Sequence, residues 1–114
     1  EIYRNMAFSG HTFYSLGQLN KNVPVLSVGG LAKEFVVPGW RVGWIIVHDY
    51  VNALGEIREA LFNLSTVTMG TSTLLQSVVP TVLDPSPEDK VELEGHLNKI
   101  VSTLEENALF CASE

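Results

Sequence analysis

The chain has 114 residues, 46% of them hydrophobic, and its seven basic against thirteen acidic side chains give a formal net charge of −6. That acidic balance argues against nucleic acid and against anionic membrane surfaces as partners. The one cysteine, Cys111, excludes an intrachain disulfide and suits a reducing compartment, while neither an apolar run of about 18 residues nor a basic-then-apolar leader is present.

Glu1 to Arg4 is too short to assign by pattern. Ser9-Gly10 signals a turn, His11 to Leu19 reads as loop with a short helical turn, and Asn20-Lys21-Asn22 is a polar connector. Val23 to Val28 is the first clear strand, with Pro24 near its start. Its nearly continuous apolar character predicts burial on both faces. Gly29-Gly30 ends it. Lys33 to Val37 has no clear pattern, and Pro38-Gly39 is a turn. Arg41 to His48 is the second strand, and its Ile45-Ile46-Val47 centre again predicts burial on both faces.

Asp49 is placed to cap a helix over Val51 to about Ser65. Residues 66–73 form a loop that ends in a cap at Thr71 or Ser72. A second helix covers Leu74 to about Leu83, with Leu75, Val78, Val79 and Val82 buried, and Pro80 is expected to kink or shorten it. Asp84-Pro85-Ser86-Pro87 is a hard break. Ser86 is the cap of the next helix, Pro87 its first residue and Asp89 a first-turn carboxylate. That helix runs to about Cys111 on a stripe of Leu93, Leu97, Ile100, Val101, Leu104 and Ala108. It is too long for the rest of the chain to cover. Strand, loop, strand and then three helices suggest an α/β layer.

The densest chemistry lies between the strands. Gly29-Gly30 lets backbone approach a ligand closely, Lys33 offers an amine for covalent chemistry, and Arg41 offers a fork for an anion. Spacing alone also allows a surface lysine and a strand-leading arginine. Neither the P-loop nor the dinucleotide glycine pattern is present. His11, His48 and His96 are too scattered to join Cys111 as metal ligands. Trp40 and Trp44 read as packing residues.

Gly30-Leu31-Ala32-Lys33, followed by Val37-Pro38-Gly39-Trp40-Arg41-Val42-Gly43-Trp44, resembles the active-site lysine signature of fold type I pyridoxal-phosphate aminotransferases. The Gly-Gly form is most similar to the branch of that family that acts on tyrosine, and the similarity begins at Glu1-Ile2-Tyr3. The resemblance implies an α/β large domain with a mainly parallel sheet flanked by helices, incomplete in this chain, which would be an internal piece of a longer subunit. Residues 1–85 would be part of the cofactor-binding domain and residues 86–114 a long helix leading out of it.

By the same resemblance Lys33 would hold pyridoxal 5′-phosphate covalently and carry a proton, and Arg41 would grip its phosphate. Tyr3 would donate to its ring oxygen. The aspartate that pairs with the ring nitrogen would fall just before Glu1, and Glu1 does not replace it, so activity of these residues alone is not expected. Many relatives carry serine or threonine at the position of Gly30. Here Ser27, or the Gly29 and Gly30 backbone, would help hold the phosphate. Met69-Gly70-Thr71 resembles the loop that reaches the partner subunit's site in a homodimer. The implied reaction moves the amino group of tyrosine to 2-oxoglutarate, a step of tyrosine catabolism, in a cytoplasmic or mitochondrial enzyme. An alanine-type or broad-specificity transaminase, a carbon–sulfur lyase and a non-catalytic association fragment remain alternatives.

Overall fold

The two apolar runs on either side of the glycine-rich stretch contribute β1 (Val25–Gly30) and β2 (Gly43–His48). They pair antiparallel, with Val25 opposite His48 and Gly30 opposite Gly43. The structure, a computed structural model, describes residues 1–113. The remaining elements are α1 (Leu16–Leu19), α2 (Leu31–Glu34), a 3-10 turn at Pro38–Trp40, α3 (Gly55–Val67), α4 (Thr73–Leu83) and α5 (Pro87–Ala112). This is an α/β arrangement, and the antiparallel pair is the exception that a mainly parallel sheet leaves room for.

The sheet is not buried on both faces. Leu26, Val28, Ile45 and Ile46 are 43%, 57%, 47% and 44% exposed. The register puts Ser27 and Ile46 on one face and Val28 and Ile45 on the other. Glu1, Ile2 and Arg4 lie along a cleft lined by Ser27, Trp44 and Ile46. On the other side an open groove runs between Val28, Ile45 and Val47 and the Leu61, Phe62 and Leu64 side of α3. The apolar runs are long enough for a sheet covered twice, but the described residues supply too few layers to cover it.

Leu31 alone among the described hydrophobic side chains is fully buried, at 0% exposure. The radius of gyration is 17.1 Å, against about 13 Å for a compact domain of this length. The folded centre is therefore local and sits at the β1–α2 junction. There the Leu31 N–H donates to the Val42 carbonyl at 3.3 Å, and the Phe35 N–H closes the turn on the Leu31 carbonyl at 3.1 Å.

The helices begin and end for identifiable reasons. Asp49 does not cap a helix at Val51. Its carboxylate accepts from the Ala53 and Leu54 N–H groups at 2.8 and 3.0 Å, closing a turn in which Asn52 has φ 54°, so α3 starts only at Gly55. Ser72 precedes α4 without a side-chain cap bond, and the Thr71 hydroxyl instead donates to the Arg41 carbonyl at 2.9 Å. Pro80 does not end α4, which continues to Leu83. So near the end, the missing donor removes only the bond to the Gln76 carbonyl. Leu75, Val79 and Val82 are half-buried, whereas Val78 is exposed.

Ser86 caps α5 as its sequence predicts, accepting from the Asp89 N–H at 3.2 Å with Pro87 in the first position. Leu93, Leu97, Ile100 and Val101 are half-buried, but Leu104 and Ala108 are exposed. The far half of the helix is tied down by Glu105, whose carboxylate accepts from the Ser9 N–H at 3.1 Å and from the Ser9 hydroxyl at 2.8 Å. Glu114, the last residue of the expected 86–114 segment, lies outside the described residues.

Candidate functional site

The site is built on the return of the chain from β1 to β2. Gly30 is buried and its backbone is packed against the strand that follows. A Cβ there would stand 2.8 Å from the Val42 carbonyl oxygen, and one on Gly29 would stand 2.6 Å from the Trp44 indole nitrogen. The first contact is with main chain and has no flexible partner to move. Gly30→Ala is therefore expected to cost about 1–3 kcal/mol of unfolding free energy, read as a lower urea midpoint at unchanged m-value.

Lys33 and Arg41 are held on either side of the Leu31–Val42 hydrogen bond. Lys33 stands two residues after its donor and Arg41 one residue before its acceptor, and α2 packs on the Pro38–Trp40 turn between them. Both side chains are exposed, and among the described residues neither forms an ion pair. The Arg41 guanidinium makes one long bond, Nη1 to the Pro38 carbonyl at 3.4 Å. Its backbone is left-handed at φ 53°, a conformation uncommon for residues other than glycine, and Thr71 holds its carbonyl. That support was not legible in the sequence, because thirty positions separate the partners.

Ser27 is 5% exposed and its Oγ has no hydrogen-bond partner among the described residues. Such a buried hydroxyl costs free energy unless something meets it. Ser27 and Gly30 line one cleft together with Glu1, Ile2 and Arg4. Lys33, Arg41 and Tyr3 do not line that cleft, and Tyr3 is 58% exposed. The segment carrying Tyr3 is nevertheless anchored to β1, because the Glu1 main-chain nitrogen donates to the Val28 carbonyl.

The Glu1 carboxylate is engaged elsewhere. It accepts from the Ser15 hydroxyl and the Leu16 N–H, each at 3.0 Å. Partial desolvation pushes its pKa up, but the bonds from Leu16 and Ser15, with nearby positive charge, leave it lowered on balance.

Sequence reasoning missed one pair in this region. Glu34, the residue after Lys33, is 7% exposed, and its carboxylate accepts from the Asn5 side-chain amide. The only signal was a charged residue between Lys33 and the apolar Phe35-Val36-Val37, which spacing does not distinguish from a solvated one.

A phosphorylated aldehyde would need an amine, a cation for the phosphate and hydroxyl donors. An accessible lysine, an arginine outside any ion pair among the described residues and a buried serine hydroxyl supply those donor types, so the residues present fit such a group in kind, with Ser27 on a cleft that Lys33 and Arg41 do not line.

A lysine on the turn after a strand, with a glycine-rich approach and an arginine on the returning backbone, sits at the strand–turn–strand centre of an α/β protein. A family model for aminotransferases of class I and II matches residues 1–114, and the chain belongs to that family, as part of a fold type I domain. It is 42% identical to the tyrosine aminotransferase of Dictyostelium discoideum over 110 residues, covering 95% of this chain and 26% of that protein. Among solved structures it superposes on the tyrosine aminotransferase of Leishmania infantum with a TM-score of 0.80 and 34% identity, covering 99% of this chain and 26% of that one. The alanine aminotransferase of Pyrococcus furiosus gives a TM-score of 0.81 at 30% identity, with 97% and 26% covered. The chain thus spans about a quarter of the length of these relatives.

Proposed function

We propose that the protein containing this chain is a pyridoxal-phosphate-dependent aminotransferase that moves the amino group of an aromatic amino acid, tyrosine, to 2-oxoglutarate. The observation that carries the reading is that Lys33 and Arg41, both exposed and neither in an ion pair among the described residues, lie within two residues of the two ends of a single main-chain hydrogen bond. Bound there, pyridoxal 5′-phosphate would supply an aldehyde and an electron sink.

Lys33 would hold the cofactor and, once released, move a proton at the substrate Cα. Arg41 would bind the phosphate through its fork, helped by the Ser27 hydroxyl and the Gly30 backbone. Tyr3 would donate to the ring oxygen. The Met69-Gly70-Thr71 loop would reach the partner subunit of a homodimer, residues 1–85 would belong to the cofactor domain, and residues 86–114 would lead out of it. A cytoplasmic location agrees with the lone cysteine.

Alanine-type specificity is the second reading, favoured by the superposition on the Pyrococcus furiosus enzyme. Initial rates with tyrosine and with alanine, each with 2-oxoglutarate, separate the two in the protein expressed from its full coding sequence. The aromatic reading expects kcat/KM for tyrosine to exceed that for alanine by at least about tenfold, which is about 1.4 kcal/mol of transition-state discrimination. The opposite order replaces it with the alanine reading, and no turnover of either donor removes both.

A further inference from the structure

Two short turns carry Tyr3 and Lys33, two of the groups that the cofactor reading uses, and one part-buried bond joins them. Tyr3 lies on the turn in which the Met6 N–H donates to the Tyr3 carbonyl at 2.9 Å and the Arg4 N–H to the Glu1 carbonyl at 3.2 Å. Lys33 lies on α2, where the Val36 N–H donates to the Lys33 carbonyl at 3.3 Å. Asn5, two residues after Tyr3, reaches across to Glu34, the residue after Lys33, with its side-chain amide donating to the carboxylate.

The position of this bond is informative. Lys33 is exposed while its neighbour Glu34 is 7% exposed. In a helix adjacent side chains point about 100° apart, so the inward anchoring of Glu34 sets the direction in which the Lys33 amine leaves the turn. α2 has only four residues, and Gly30, at its N-cap position, has no side chain to cap it. A turn that short has little stability of its own. Leu31 holds its first residue by burial, and Glu34 holds its last by hydrogen bonding. Removing the second anchor leaves the amine on a turn held by the burial of Leu31 and by packing on the Pro38–Trp40 turn alone.

We propose that Asn5 and Glu34 are positioning residues that couple the turn carrying Tyr3 to the turn carrying Lys33, and so fix the approach of the Lys33 amine to its carbonyl partner. The proposal rests on the cofactor reading of Lys33. What the bond requires is an acceptor at position 34 and a donor at position 5. Glutamine at position 34 still offers a carbonyl oxygen of the same reach, whereas alanine does not.

The test uses the protein expressed from its full coding sequence and loaded with pyridoxal 5′-phosphate. Borohydride reduction followed by peptide mass mapping measures the fraction of Lys33 that carries the cofactor, and steady-state kinetics run alongside. Asn5→Ala and Glu34→Ala are each expected to lower the labelled fraction and to reduce kcat by about tenfold, with KM for the amino donor changing less than about twofold, a loss of the size that misplaced reacting groups produce. Glu34→Gln is expected to restore both. The double variant Asn5→Ala/Glu34→Ala is expected to be no worse than either single one, since both remove one bond.

Variants that lose thermal stability yet keep wild-type labelling and kcat in their folded fraction would overturn the proposal and leave the pair a purely structural one. So would Glu34→Gln behaving like Glu34→Ala. If wild-type Lys33 itself takes no label, the cofactor reading fails and this proposal falls with it. A labelled wild type with equally labelled variants overturns this proposal alone.

Discussion

Replacing Lys33 by alanine is expected to lower transamination by about ten-thousandfold, the upper end of what a positioned general base contributes, with no loss of folding stability. Lys33 is exposed and forms no ion pair among the described residues, so its removal opens no cavity and strands no partner. The fold around it is anchored by its neighbours Leu31 and Glu34. Lys33→Arg separates covalent chemistry from charge. Arginine keeps the positive charge but stays protonated and cannot attack a carbonyl. It is expected to fail as completely as alanine. Rates of tyrosine–2-oxoglutarate exchange, with thermal midpoints of the same preparations, give the answer. Substantial activity in Lys33→Arg would place the chemistry on another group.

Truncating Leu31 to alanine is expected to cost about 2–5 kcal/mol of stability. It is the one fully buried hydrophobic side chain among the described residues. It also begins the turn that leads to Lys33, and its N–H bonds Val42 next to Arg41. The loss should therefore appear twice. Urea unfolding is expected to shift to a lower midpoint at unchanged m-value. Cofactor retention, followed by the absorbance left after gel filtration, is expected to fall at urea concentrations where the protein remains folded. A wild-type midpoint would mean that the junction collapses around the missing methyl groups, and that the core of this region lies elsewhere. The contrast between the two substitutions is itself diagnostic, since Lys33→Ala is expected to lose activity without stability and Leu31→Ala to lose stability together with cofactor retention.

Local pattern went far along this chain. The strand centres followed from β-branched apolar runs. The start of α5 followed from Ser86-Pro87 and Asp89, whose capping bonds are all within one turn. Local pattern failed where a side chain had a choice of partners. Asp49 had a helix cap as its local option, but with Asn52 left-handed it closes a turn instead. Thr71 had α4 to cap and bonds Arg41, thirty residues away. Glu34 looked like any charged residue, and its burial depends on Asn5, twenty-nine residues earlier. Burial on both faces of the sheet was overstated for a different reason. An apolar run records what a strand is suited to face, and whether a layer is there to face it depends on other segments.

The amino-acid sequence by itself determined the α/β character, the order and rough extent of the two strands and three longer helices, and the lysine–arginine signature that marks the family. These depend on periodicity, capping and spacing, which act over a few residues and are written directly in the chain. Only the tertiary structure decided that the strands run antiparallel, that Leu31 is the buried centre and that Ser27 keeps a hydroxyl without a partner among the described residues. It also revealed that Asn5 and Thr71 reach across to the elements bearing Lys33 and Arg41. Those facts depend on which distant segments meet, and that is settled by the balance of burial and hydrogen bonding over the folded chain, which no local window contains.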